Sequence, residues 1–173
     1  HIVARRPPAC VPAGESDHDL TMPRLILAST SKYRRALLEQ LGVPFEAAAP
    51  GVDESIAKAA GGPPRQIVEL LALQKAEAVS KGQPDAVVIG SDQAAVLDGE
   101  VLGKPGSEAN AAAQLQRLSG RQHQLITAVA VVHPGGTARF TDVTNLVMRR
   151  LEDSEIAGYV RRDQPLDCAG SYK

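Results

Sequence analysis

Tryptophan is absent from this 173-residue chain, and its aromatic side chains amount to three tyrosines and two phenylalanines. So few flat platforms exclude a protein that stacks single-stranded bases. An excess of either charge is missing too: 19 Lys and Arg face 20 Asp and Glu, for a net charge of −1. No global field can therefore hold a nucleic acid or an anionic membrane, and a bound polyanion must be met locally. Cysteine is scarce, and Cys10 and Cys168 form neither a metal-spaced pair nor a disulfide framework; the expectation is a reducing, cytoplasmic setting. No apolar run approaches the roughly 20 residues of a membrane-spanning helix. Residues 1–21 hold Pro7, Pro8 and Pro12 but no apolar stretch of the signal-peptide kind. They are expected to be a disordered N-terminal extension, with Met22 a plausible start. Residues 22–173 then form one domain, long enough to bury a core.

What is present alternates between two periods. Residues 24–28 read as a compact strand, and the helix after them has Leu37, Leu38 and Leu41 at core-facing spacing, with Gly42 closing it. Residues 44–49 make a second short strand, followed by a loop through Val52-Asp53-Glu54. Gly61-Gly62-Pro63-Pro64 introduces a helix over 64–80, on which Val68, Leu71, Ala72, Lys75 and Val79 share a stripe. Residues 86–90 form a buried strand. Residues 93–97 and 100–102 flank Asp98-Gly99, a strong hairpin signal. A helix over 107–118, two long strands over 124–133 and 137–148, and a last helix capped by Ser154 and running to about Arg162 complete the pattern, with 165–173 loop-like. Strands interleaved with helices, plus tight hairpins, predict an α/β fold with a mixed central sheet.

Two segments carry the chemistry. LILASTSKYRR (25–35) runs a strand through a hydroxyl-rich turn into a helix bearing Arg34 and Arg35. Ser29, Thr30 and Ser31 can cap that helix. Two cations at a helix N-terminus oppose the dipole unless an anion offsets them, which favours phosphate over a merely solvated Arg pair. IGSDQ (89–93) drives a buried strand to Asp92, placed where α/β folds put ligands and able to orient or deprotonate a water, or else to close a turn. Asp53 and Glu54 can be surface charges, or with Asp92 can hold Mg²⁺. Lys75 either snorkels from its apolar stripe or points into a site, and Lys104 sits in the rigid turn Gly103-Lys104-Pro105. No Walker A loop exists, and the histidines show no metal spacing.

Taken together, LILASTSKYRRALLEQLGVPFE, VDE (52–54), LALQKA (71–76), IGSDQ, LGKP (102–105), LSGRQH (118–123), EIAGYV (155–160) and CAGSYK (168–173) resemble the Maf family of nucleoside triphosphate pyrophosphatases. The resemblance implies an elongated fold, like that of inosine triphosphatases, with a mixed sheet around a deep cleft. It implies hydrolysis between the α and β phosphates with a divalent metal, Mg²⁺ or Mn²⁺, a nucleotide as the small-molecule partner, and a possible homodimer. By position, Asp92 becomes the proton acceptor and Glu54 with Asp92 the metal ligands. Ser29, Arg34, Arg35, Lys75 and Lys104 become triphosphate contacts, while Tyr33 and Gln93 bear on substrate choice. Gln93 and the CAGSYK ending are similar to the branch acting on 7-methyl-GTP, where Tyr33 could stack on a cationic base. The alternatives are a dTTP/UTP pyrophosphatase and a non-enzymatic nucleotide-binding regulator of septum formation. Lys32 replaces the family's usual Pro. Members continue with a Ser-Glu-Gly segment and a Val-Gly-Leu-Pro motif, so the expectation is a chain lacking its C-terminal end.

Overall fold

A computed structural model describes residues 23–59 and 61–173; the expected disordered extension and the start at Met22 lie outside the described residues. β1 (Leu25–Ala28) pairs in parallel with β2 (Glu46–Ala48) and with β3 (Val87–Leu97). β5 (Gln122–His133) and β6 (Gly136–Val147) follow antiparallel, giving the order β2-β1-β3-β5-β6. β4 (Glu100–Leu102) folds back on β3 through Asp98-Gly99, where both residues have positive φ, 52° and 84°. That is the backbone sense a two-residue hairpin loop needs. The mixed sheet is as expected. The two strands expected at 86–90 and 93–97 are one, because β5 pairs with β3 without a break from Val88 to Val96.

α3 (Pro64–Ser80) covers one face of the sheet, its Val68, Ala72 and Ala76 packing with Ile26, Ala28, Val88, Ala94 and Ile126. Gly90 permits this approach: a Cβ there would stand 2.2 Å from the Ala72 carbonyl oxygen and 2.6 Å from the Ala76 nitrogen. α4 (Glu108–Leu118) and α5 (Asp153–Asp163) pack on each other through Ala111, Leu115, Ile156 and Val160. Together with the 3₁₀ turn Ala169–Ser171 they cover the opposite face only near β4, over Ala95, Leu97 and Leu125.

Three local expectations are corrected. α1 (Lys32–Glu39) buries no residue, and Leu37 and Leu41 are 64% and 68% exposed rather than core-facing, because among the described residues no element covers its apolar side. Glu54 opens a short helix, α2 (Glu54–Ala59), where a loop was expected; Asp53 Oδ1 accepts from the Ser55 backbone N–H at 2.9 Å and starts it. α5 is capped at Glu152 rather than Ser154, with the Glu155 side chain reaching back to the Glu152 N–H at 2.9 Å. Among the described residues no helix is long and apolar enough to cross a membrane.

Candidate active site

β5 occupies one edge of β3 along most of its length, so β1 and β4 share the other. β1 pairs with β3 only as far as Ile89, and β4 begins only at Ala95. Between them residues 90–94 line a notch in the sheet. The C-terminal end of β1 and the start of α1 open into it from one side. The C-terminal end of β4, hence Gly103 and Lys104, opens into it from the other, since Leu102 stands opposite Ala95. Asp92 is the acidic side chain of the notch, and it is turned toward α3.

Around Asp92 the structure gathers four of the residues singled out above. Lys75, 4% exposed on α3, places Nζ 2.7 Å from Asp92 Oδ1 and 2.7 Å from Glu54 Oε1. Arg34 Nη2 stands 3.6 Å from the same Oδ1, and its Nη1 donates to Ser29 Oγ at 3.5 Å. Ser29 is buried and its Oγ also accepts from the Ser31 N–H at 3.1 Å, while Ser31 caps α1. Burial would raise the Glu54 pKa, but hydrogen bonds from Lys58 and Lys75 outweigh it and hold the carboxyl at about 2. Asp92 Oδ1 is thus occupied twice, and Oδ2 has no hydrogen-bond partner among the described residues. Lys75 uses two of its three N–H bonds, leaving one donor for a ligand.

The other expected residues stand apart from this cluster. Arg35 turns to Glu39 (3.1 Å) and over the Phe45 ring (5.9 Å) rather than to Asp92. Lys104 is exposed at the rim of the notch and makes no ion pair among the described residues. Gln93 follows Asp92 on a strand and so leaves by the opposite face, where its Nε2 donates to Thr127 Oγ1 at 2.7 Å. Tyr33 donates its hydroxyl to Asp167 Oδ1 at 3.1 Å and accepts from the Cys168 thiol at 3.4 Å, with Lys32 Nζ 5.0 Å from its ring centroid. Lys58, absent from the sequence reading, grips Glu54 Oε2 at 2.7 Å from one helical turn away; recognising α2 would have revealed it.

The family profile of Maf-like proteins matches residues 24–173. The chain belongs to the Maf family. Among its Maf relatives, the 7-methyl-GTP pyrophosphatase of Alkalilimnicola ehrlichii is 54% identical over 153 residues, 87% of this chain and 76% of that protein. The 7-methyl-GTP pyrophosphatase of Albidiferax ferrireducens is 50% identical over 152 residues, 87% of this chain and 75% of its own length. A solved HAM1 protein from Coxiella burnetii shares the fold at TM-score 0.50 and 14% identity, over 72% of each chain.

A divalent cation would need hard oxygen donors, and two carboxylates, Glu54 and Asp92, converge here on the Lys75 ammonium. No group of three or more His, Cys, Asp or Glu side chains gathers among the described residues. Such a set suits Mg²⁺ or Mn²⁺ arriving with phosphate oxygens and water in its shell, and does not suit a cation held by protein alone. A cavity of about 580 Å³ against α5, lined by Met148, Ile156, Tyr159 and Tyr172, shares no residue with this cluster.

Proposed function

We propose that this protein is a nucleoside triphosphate pyrophosphatase that hydrolyses 7-methyl-GTP to 7-methyl-GMP and diphosphate. One observation carries the reaction class: a buried lysine joins two carboxylates at a notch where a helix N-terminus with an arginine also arrives. Such a place attracts phosphate and holds a base beside it. The substrate is supported by the two relatives at 50% identity and above that carry this activity in their names.

In this reading the spare N–H of Lys75, the Arg34 guanidinium, Lys104 at the rim and the amides that follow Ser29 bind phosphate oxygens. Asp92 Oδ2 holds a water in line with the α-phosphorus and takes its proton as the new P–O bond forms. The bond from the α-phosphorus to its bridging oxygen breaks, and diphosphate leaves with its charge balanced by the cations. Glu54 and Asp92 would hold the divalent cation, whose contribution is to neutralise phosphate charge. The protein's own contribution is geometry: Oδ1 is pinned by Lys75 and Arg34, so Oδ2 is aimed. The cytoplasmic setting expected from the two isolated cysteines belongs to the same proposal.

The test is diphosphate release from 7-methyl-GTP, GTP, UTP and dTTP with Mg²⁺ and with Mn²⁺. Fastest turnover of 7-methyl-GTP is expected. Preference for the pyrimidines would move the protein to the other branch, and no release from any of the four would remove the enzymatic reading.

A further inference from the structure

Lys104 reaches the rim of the notch on a turn that other parts of the fold hold in place. Gln114 Nε2 donates to the Gly103 carbonyl at 3.1 Å, and Asn110 Nδ2 donates to the Pro105 carbonyl at 3.0 Å. The Gly106 N–H in turn donates to the Leu166 carbonyl at 3.1 Å. Asn110 and Gln114 are four residues apart on α4, so their amides stand side by side and bracket Lys104. The backbone is thus fixed before and after Lys104, while its side chain stays exposed.

Gln114 is itself held. Its Oε1 accepts from the Ser171 hydroxyl at 2.6 Å, so both ends of the amide are used. Turned over, the amide would set its oxygen against the Gly103 carbonyl. Ser171 is fully buried and has φ 63°, a left-handed conformation that a residue with a Cβ rarely adopts. It follows Gly170, at φ 75°, where a Cβ would stand 3.0 Å from the Ala95 Cβ. Two successive left-handed residues lay this turn on β3, three positions beyond Asp92, and aim one hydroxyl at Gln114. Backbone of this kind persists only where its surroundings impose it. A chain of contacts therefore runs from the strand that carries Asp92, through Gly170-Ser171 and Gln114, to the carbonyl before Lys104.

Resting on the nucleotide reading above, we infer that Gln114 is a positioning residue for the pyrophosphatase reaction. It locks the Lys104 turn to β3 through Ser171, so that the ammonium meets the phosphates from the side of the notch opposite Arg34. A lysine needs this more than an arginine does, because it is a point charge on a flexible stem with no directional fork. Its pull on a phosphate oxygen falls with distance, and the backbone that carries it decides that distance. Gln114 touches no substrate in this role and acts only through Lys104.

The experiment is a double-mutant cycle on diphosphate release from 7-methyl-GTP. It compares this chain, Gln114→Met, Ser171→Ala and Lys104→Ala, and the first two variants each combined with Lys104→Ala. Gln114→Met keeps the length of the side chain without its amide, and is expected to lower kcat/KM about tenfold. Ser171→Ala removes only the hydroxyl that fixes Gln114, and should lower it about threefold. The Gln114→Met loss should divide between kcat and KM as it does in Lys104→Ala. With Lys104 already replaced, both losses should shrink to within about twofold. A residue that serves only fold stability lowers the folded fraction alike in both backgrounds, so equal losses with and without Lys104 overturn the assignment. Values within about twofold of the parent in Gln114→Met, or in Lys104→Ala, overturn it too and leave the pyrophosphatase reading intact. Should Gln114→Met fail to fold, Ser171→Ala decides by the same comparison. Absence of turnover in the parent removes the pyrophosphatase reading and the positioning role with it.

Discussion

Lys75 and Asp92 bury opposite charges within 2.7 Å, and each depends on the other for its solvation. Replacing Lys75 by Met removes the buried ammonium that joins Asp92 to Glu54, leaving Asp92 only Arg34 at 3.6 Å and Glu54 only the exposed Lys58. A cost of about 3–5 kcal/mol is expected, measured as a lower urea midpoint at unchanged slope. Asp92→Asn keeps the hydrogen-bonding shape but cannot take a proton. Diphosphate release should fall by about 10²–10⁴-fold with nucleotide binding retained by calorimetry, and undiminished turnover would end the role given to Asp92. Glu54 gives a pH signature. Its carboxyl titrates at about 2 when folded against an ordinary 4.5, so the stabilisation it supplies is complete above about pH 4.5 and drains away as pH falls toward 2. Urea midpoints from pH 6 down to 3 should fall less steeply in Glu54→Gln than in the parent.

Helix α3 and strand β3 form the unit that aims the site, and their spacing is set by Gly90. Gly90→Ala puts a methyl against the backbone of α3 and must push the helix off the sheet, carrying Lys75 with it. A loss of about 1–3 kcal/mol or more is expected, together with impaired catalysis, whereas Gly82→Ala, which meets nothing within 4 Å, should leave the melting temperature nearly unchanged. The α3 stripe was legible in the sequence, because a 17-residue helix shows its periodicity over several turns. α1 was misread at the same level. Leu37 and Leu41 keep core spacing, yet eight residues cannot reveal which side, if any, another element will cover. α2 was invisible for a related reason: six residues carry too little periodicity, and its start depends on the Asp53 side chain bonding Ser55.

On the scale of the molecule the site is assembled from distant parts of the chain: Ser29 and Arg34 after β1, Glu54 on α2, Lys75 on α3 and Asp92 on β3. A nucleotide bound across these parts should stabilise the whole fold. A non-hydrolysable 7-methyl-GTP analogue at 100 times its dissociation constant should add about 2.7 kcal/mol, read as a rise of a few degrees in a thermal melt. The sequence by itself determined the mixed α/β pattern, the family and the kinds of group present, because strand runs, the Asp98-Gly99 turn and short motifs are local and survive without neighbours. Only the tertiary structure decided which of those groups meet. Arg34 and Arg35 are adjacent in the chain, but successive positions on a helix point about 100° apart, so Arg34 reaches Asp92 while Arg35 turns to Glu39 and Phe45. Asp92 and Gln93 are likewise adjacent, and the pleat sends them to opposite faces. The notch exists because β1 stops and β4 starts at different points along one edge of β3, a fact of strand register that no single segment contains.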